Sequence, residues 1–170
     1  LIYSQGQGVY VDRQQIASVL NLPLEMVRVI QVPNGGGFGG KEDLSVQGHA
    51  ALAAWLVRKP VKVSLSREES ICMHPKRHPV WMDLQLAWDS EGILTAIELH
   101  AIGDTGAYAS VGTKVMERVG GHATGGYVVP NVFVSAKTVY TNNIPSGAMR
   151  GFGVPQAVFA LESCIEDLCS

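Results

Sequence analysis

The strongest constraint on the fold is a run of glycines, "NGGGFGGKED" at residues 34–43, which lies between two segments with different patterns. Before it, "MVRVIQV" at residues 26–32 alternates valines in the manner of a β-strand. After it, "LSVQGHAALAAWLV" at residues 44–57 is rich in Ala and Leu and predicts a helix. Because glycine allows tight turns and close approach of the backbone, we expect the order strand, glycine loop, helix.

The remaining chain predicts an α+β fold with a mixed or antiparallel sheet. Asp12 is expected to cap a helix over 13–20, and "VKVSLS" at 61–66 has the alternation of a strand. Residues 78–89 and 93–104 predict a long antiparallel hairpin across the turn "DSEG". Three further elements are expected: a short helix around 114–118, a strand at 131–141 and a helix over 155–168.

Length and composition indicate one globular domain, residues 1–170, and the start at Leu1 with the helical pattern of "ESCIEDLCS" at the end suggests a piece of a longer chain. The 13 Lys+Arg and 15 Asp+Glu give a net charge of -2, which offers no general attraction to nucleic acid or to a membrane surface. The three cysteines form no C-x-x-C pair, so a structural zinc site, an iron-sulfur motif and a disulfide framework are not expected. We therefore predict reduced thiols in a soluble, cytoplasmic protein, without a membrane span.

Two nucleotide-binding patterns fit the glycine run only in part. Gly35, Gly40 and Lys41 have the spacing of a P-loop, but Glu42 stands where a Ser or Thr would bind magnesium. The dinucleotide pattern G-x-G-x-x-G also fits, yet no acidic residue ends the next predicted strand. Turn glycines alone would not explain a second Gly-Phe-Gly at 151–153. Two such loops suggest convergence on one binding site.

Together, "GGGFGGKE" at 35–42 and "AMRGFGVPQ" at 148–156 closely resemble the molybdenum-binding subunit of the xanthine dehydrogenase and aldehyde oxidase family of molybdenum hydroxylases. The stretches "REES", "KRHP" and "GDTGAYAS" extend the resemblance over essentially the whole chain. The resemblance implies a molybdopterin-binding domain whose glycine loop passes beside a pterin-bound molybdenum. It assigns Gln7, Phe38 and Arg150 to the metal surroundings, with Gln5 as the competing glutamine. It implies a cofactor-binding set of Gly36, Gly37, Phe38, Gly39, Ala148 and Arg150.

The resemblance also implies three substrate-binding residues, Glu42, Arg118 and Phe152. Their chemistry suits a purine, since a carboxyl can hydrogen-bond one edge, a guanidinium can stabilise developing negative charge, and an aromatic ring can stack on the face. Taken singly, Glu42 could instead cap the following helix, and Arg118 could form a surface ion pair. Met149 departs from the Phe usual in purine-oxidising relatives, which weakens an assignment to xanthine.

The expected function is molybdenum-dependent hydroxylation of a purine such as xanthine or hypoxanthine, or of a related N-heterocycle. The resemblance implies that the general-base glutamate lies beyond Ser170, so no catalytic residue is assigned within this chain. It also implies 2Fe-2S and FAD on other domains or subunits, and a homo- or hetero-oligomer in the intact enzyme. Two alternatives are an aldehyde oxidoreductase of the same family and a non-catalytic structural or assembly domain.

Overall fold

The structure, a computed structural model, describes residues 1–169. Its contacts divide the chain into two units, with the boundary between Pro75 and Lys76. The first unit contains β1 (Ile2–Ser4), α1 (Val9–Leu20), a 3-10 turn (Leu24–Met26), β2 (Val29–Gln31), α2 (Gln47–Val57) and α3 (Arg67–Met73). The second contains β3 (Val80–Trp88), β4 (Leu94–Asp104), α4 (Gly112–Gly121), β5 (Asn131–Val139) and α5 (Val154–Cys169). The expectation of a single domain within a longer chain stays a prediction.

In the first unit, two short parallel strands come directly before the Gln7 segment and before the glycine loop, respectively. Strand β1 pairs with β2 in the register Ile2 to Val29. Helices α1 and α2 pack together, and a small apolar core closes the unit, formed by Ile16, Ala17, Val27 and Ala51. The predicted order of strand, glycine loop and helix is confirmed, because β2 precedes the loop and α2 follows it.

Two local predictions in this unit were wrong. Helix α1 begins at Val9 after an N-cap at Gly8, so Asp12 lies inside the helix and does not cap it. Residues 61–66 form no strand, although their exposure alternates as the pattern predicted. Alternation predicts an extended chain, but a strand also needs a pairing neighbour. Ser66 instead caps α3 in a capping box, in which its Oγ accepts a hydrogen bond from the Glu69 amide at 3.2 Å.

The second unit is a three-stranded mixed sheet with the order β3-β4-β5. Strands β3 and β4 form the predicted antiparallel hairpin, in which Val80 lies opposite Gly103. Strand β5 pairs parallel to β4, with Asn131 beside Ala96, because α4 carries the chain back between the two strands. The predicted α+β class with a mixed sheet is confirmed.

Helices α4 and α5 pack against this sheet and bury one face of β4. Alternate β4 residues point into a core made by Leu99, Ala101, Met116, Val119, Ala123 and Ala157. Gly103 continues the buried face, and a Cβ added there would collide with the Met116 sulfur. Within residues 1–169, no helix is both long enough and apolar enough to cross a membrane.

Candidate functional site

In the first unit, the side chain of Gln7 lies at the glycine loop and holds it. The amides of Gly39 and Lys41 donate hydrogen bonds to Gln7 Oε1 at 3.0 and 3.2 Å. The backbone N–H of Gln7 in turn donates to the Lys41 carbonyl at 2.8 Å. A Cβ added to Gly37 would overlap the Gln7 side chain, with 2.7 Å to its Cγ. Glycine is therefore required at 37 so that Gln7 can approach the loop.

Phe38 adopts a left-handed backbone at the centre of this loop, with φ of 55°. Its neighbours Gly36 and Gly39 also have positive φ, at 129° and 87°. The Phe38 ring lies against Gly36, where an added Cβ would come within 2.7 Å of the ring, yet the side chain is 68% exposed. A bulky residue rarely adopts positive φ, so the loop holds the ring in a strained and exposed position.

This geometry differs from that of a phosphate-binding loop. A P-loop leads directly into a helix whose free amides face the phosphates, whereas α2 begins only at Gln47. Lys41 Nζ donates to Asn34 Oδ1 at 2.8 Å, and two loop amides are already bound by Gln7. The P-loop pattern, which fits the sequence only in part, therefore also lacks the expected backbone arrangement.

Of the two candidate glutamines, only Gln7 places its side chain in the hydrogen-bond network of the loop. Gln5 contributes its backbone carbonyl, which accepts a hydrogen bond from Asn34 Nδ2 at 3.1 Å. Because its Oε1 is bound by the loop, Gln7 has its amide NH2 group left to donate to a ligand. This arrangement favours Gln7 over Gln5.

In the second unit, Ala148, Arg150 and Phe152 lie on one loop that, like the first, holds its phenylalanine at positive φ. Gly151, Phe152 and Gly153 all have positive φ, at 92°, 48° and 99°. A Cβ on Gly153 would strike the Val115 carbonyl of α4, so this glycine lets the loop pack on the helix. Ala148 is buried, and the Arg150 carbonyl accepts a hydrogen bond from Arg77 Nη2 at 2.7 Å.

The segment before this loop is held by Asp104, a residue whose importance was not apparent from sequence. Its carboxylate accepts hydrogen bonds from the Gly106 amide at 2.7 Å, Thr141 Oγ1 at 2.7 Å and Asn143 Nδ2 at 2.6 Å. The pKa of Asp104 is lowered, most strongly by the hydrogen bond from the Thr141 hydroxyl. The other two donors and the nearby His78 lower this pKa further. The signal in the sequence was the aspartate two residues before Gly106 in "GDTG", since Asp often binds the backbone two residues onward.

Glu42 and Arg118, the proposed substrate residues, are both exposed. Glu42 does not cap α2, whose N-cap is Val46 and carries no side-chain cap bond. Arg118 lies in the last turn of α4, and its side chain forms no ion pair within residues 1–169. Within the described part of the chain, Glu42 is therefore not a helix cap and Arg118 is not part of a surface ion pair.

The loop residues fit a cofactor that approaches the backbone. A Cβ on Gly35 would meet nothing within 4 Å, so the loop is open there. The amides of Gly36 and Gly37 make no hydrogen bond within the described chain, which leaves two donors for ligand oxygens. Among residues 1–169, no cluster of three His, Cys, Asp or Glu side chains could bind a metal directly.

Comparison with known proteins agrees with this geometry. The chain matches the family model of the molybdopterin cofactor-binding domain over residues 1–170. It is 54% identical over 151 residues to the nicotinate dehydrogenase large molybdopterin subunit of Eubacterium barkeri, covering 89% of this chain and 36% of that protein. It is 40% identical over 167 residues to a probable xanthine dehydrogenase subunit of Bacillus subtilis (strain 168), covering 98% of this chain and 22% of that one.

Among solved structures, the aldehyde oxidoreductase from Desulfovibrio gigas matches with a TM-score of 0.87 and 30% identity, over 93% of this chain and 17% of that chain. Fold, loop geometry and relatives together define a cofactor-binding domain of a molybdenum hydroxylase. The chain belongs to the molybdopterin cofactor-binding domain family. The resemblance, the fold class and the molybdopterin cofactor predicted from sequence are thereby confirmed. The chain covers well under half of the length of these relatives.

Proposed function

We propose that the full-length protein hydroxylates an N-heterocycle, either a purine such as xanthine or hypoxanthine, or a pyridine such as nicotinate. The observation that carries this proposal is the exposure of Glu42 and Arg118 without the helix cap or ion pair that would otherwise account for them. A carboxyl and a guanidinium suit a ring that offers hydrogen-bonding edges and gains or carries negative charge. The relatives named for nicotinate and for xanthine support the same substrate class.

Each residue has a distinct role in this proposal. Glu42 hydrogen-bonds a ring nitrogen or its N–H, and Arg118 binds a substrate carboxylate or the negative charge that develops on the ring. Phe152 stacks on the ring, which contributes on the order of 1 kcal/mol. Gln7 and Arg150 donate hydrogen bonds near the metal, and the backbone of residues 36–39, with Ala148, lines the pterin. The bound molybdenum cofactor supplies the redox chemistry that adds an oxygen atom to a ring carbon.

Other parts of the full-length protein complete the reaction. We propose that the general-base glutamate lies outside this chain and that 2Fe-2S and FAD groups on other domains or subunits carry the electrons away. Relatives described as molybdopterin or molybdenum-binding subunits support a division of the cofactors among subunits. A cytoplasmic location remains a prediction from the sequence.

The test is steady-state kinetics on the full-length protein with nicotinate, xanthine and a non-aromatic aldehyde. Glu42→Val and Arg118→Met should each lower kcat/KM for the N-heterocycle that is turned over, because each lost polar contact costs about 1 to 3 kcal/mol. Aldehyde turnover, which needs neither contact, should change little. Matched controls are Glu25→Val and Lys114→Met, since both residues are exposed and Lys114 lies on α4 with Arg118.

Aldehyde oxidation is the second candidate, because the structure resembles an aldehyde oxidoreductase at a TM-score of 0.87. It would be favoured if wild-type protein turned over the aldehyde and neither heterocycle. Equal losses for both substrate types in the variants, at unchanged molybdenum content, would contradict the roles of Glu42 and Arg118. A wild-type protein without molybdenum by mass spectrometry would instead support a non-catalytic domain.

A further inference from the structure

Beneath the Gln7 segment lies a buried polar cluster, Ser4, Asp12 and Gln47, contributed by β1, α1 and α2. Ser4 Oγ donates to Asp12 Oδ2 at 2.7 Å and accepts from Gln47 Nε2 at 3.1 Å. Ser4 and Asp12 are each 1% exposed, and Gln47 is 6% exposed. The cluster thus connects three elements of the first unit through a single serine hydroxyl.

The cluster directly contacts Gly6, the residue before Gln7. The Gly6 amide donates to Ser4 Oγ at 2.9 Å, and its carbonyl accepts from Gln31 Nε2 at 3.0 Å. A Cβ added to Gly6 would lie 2.6 Å from Asp12 Oδ2 and 3.0 Å from Ser4 Oγ. Gly6 is therefore fixed from the cluster side by contacts that no larger residue would permit.

A buried carboxylate is costly to stability, which indicates that Asp12 is present for another reason. It stands on the same helix as the core residues Ile16 and Ala17, where an apolar side chain would pack without desolvating a charge. Asp12 Oδ1 has no hydrogen-bond partner among the described residues. Burial raises the pKa of Asp12, against the smaller opposing effect of the Ser4 hydrogen bond.

We propose that Asp12 and Ser4 are positioning residues that fix Gly6 and thereby hold the side-chain carboxamide of Gln7 against the glycine loop. Hydrogen bonds connect Asp12 with Ser4 and Ser4 with Gly6. Gly6 is joined through the chain to Gln7, whose side chain is hydrogen-bonded to Gly39 and Lys41. The placement of Gln7 follows from these contacts alone. Only its catalytic consequence, a lower kcat when Gln7 is displaced, rests on the proposed function.

Hydrogen exchange in the full-length protein tests this proposal without substrate. Asp12→Leu should raise amide exchange of Gly39 and Lys41 about tenfold, the effect of losing roughly one hydrogen bond of 1.4 kcal/mol, as Gln7→Ala should. Asp12→Asn keeps an oxygen that can accept from Ser4 and should restore most of the protection. Ile16→Val is the matched control, because it perturbs the same helix but leaves the polar cluster intact. Its exchange at Gly39 and Lys41 should equal that of the wild type.

A core variant that lowers the melting temperature as much as Asp12→Leu gives the comparison. The proposal is overturned if amide exchange at Gly39 and Lys41 is no faster in Asp12→Leu than in that core variant. It is also overturned if Asp12→Asn exchanges as fast as Asp12→Leu. Should Asp12→Leu fail to fold, Ser4→Ala removes the acceptor of the Gly6 amide at nearly unchanged volume and carries the same expectation. Absence of molybdenum in the wild type would contradict the proposed function and leave this exchange test in force.

Discussion

At the residue scale, the distinctive feature is a phenylalanine with positive φ in each of the two glycine-rich loops. The φ values are 55° at Phe38 and 48° at Phe152, and glycines with positive φ adjoin both residues. The sequence predicted close backbone approach from the glycines, but it did not reveal that the aromatic residues themselves carry the strain. The preference for Gln7 over Gln5 also depends on contacts, because both stand a similar distance before the loop, and the role of Gln7 beside the metal stays a prediction.

Adjacent glycines in the first loop should respond oppositely to the same substitution. Gly36→Ala should destabilise the protein by about 1 to 3 kcal/mol, because φ is 129° and the new Cβ would lie 2.7 Å from the Phe38 ring. Gly35→Ala should be neutral or stabilising by up to about 1 kcal/mol, since its Cβ would enter open space. Denaturant unfolding of the two variants checks this. Equal losses would show that the left-handed backbone at 36 carries no constraint.

At the element scale, sequence patterns predicted the hairpin and the long helices well, because these depend on local periodicity and on a short turn. Strand β3 and strand β4 lie within the predicted ranges, and α5 begins one residue before the predicted start. The failures at Asp12 and at 61–66 both depend on contacts with other elements that the local pattern does not contain. Asp12 binds Ser4 of β1 instead of its own helix end, and residues 61–66 have no neighbouring strand. Local periodicity does not encode such partners.

The loops after β4 and β5 should lose stability in acid through Asp104. Its pKa is lowered in the folded protein, so the stabilisation is complete above the ordinary aspartate pKa and disappears as pH falls through the lower folded value. Asp104→Asn should therefore lower the melting temperature at pH 7, and the difference from wild type should shrink below about pH 4. Asp83→Asn, an exposed change on β3, is the control. A difference that stays constant into the acid range would assign the effect of Asp104→Asn to packing.

At the scale of the whole molecule, sequence was sufficient for fold class, family and cofactor, but not for the division into two units. The two motifs lie on either side of the boundary at Pro75 in the chain, and each unit has its own hydrophobic core. Which apolar residues share a core depends on long-range contacts, and composition and periodicity do not specify these. The family model spans both units, so family membership alone also does not reveal the boundary.

Separate cores predict separate responses to core damage. Leu99 is 1% exposed in the core of the second unit, and Leu99→Ala should cost about 2 to 5 kcal/mol. Hydrogen exchange in the full-length protein should then increase in β3, β4 and β5 and change little in α1 and α2. Leu56→Ala, at a position 70% exposed on α2, is the control and should have almost no effect. An equal increase in both units would show that they unfold together.

The mixed pairing of β4 also bears on the order in which the second unit assembles during translation. Strand β3 meets β4 across the short turn at 89–93, whereas β5 must wait until residues 105–130 have been made. Synthesis from Asp104 to Val139 takes about 2 to 7 s at roughly 5 to 20 residues per second. During that interval the nascent hairpin presents an unpaired β4 edge and the uncovered side chains of Leu99 and Ala101. A chaperone at the ribosome exit would therefore encounter this chain most readily after the hairpin has emerged and before β5 and α5 follow.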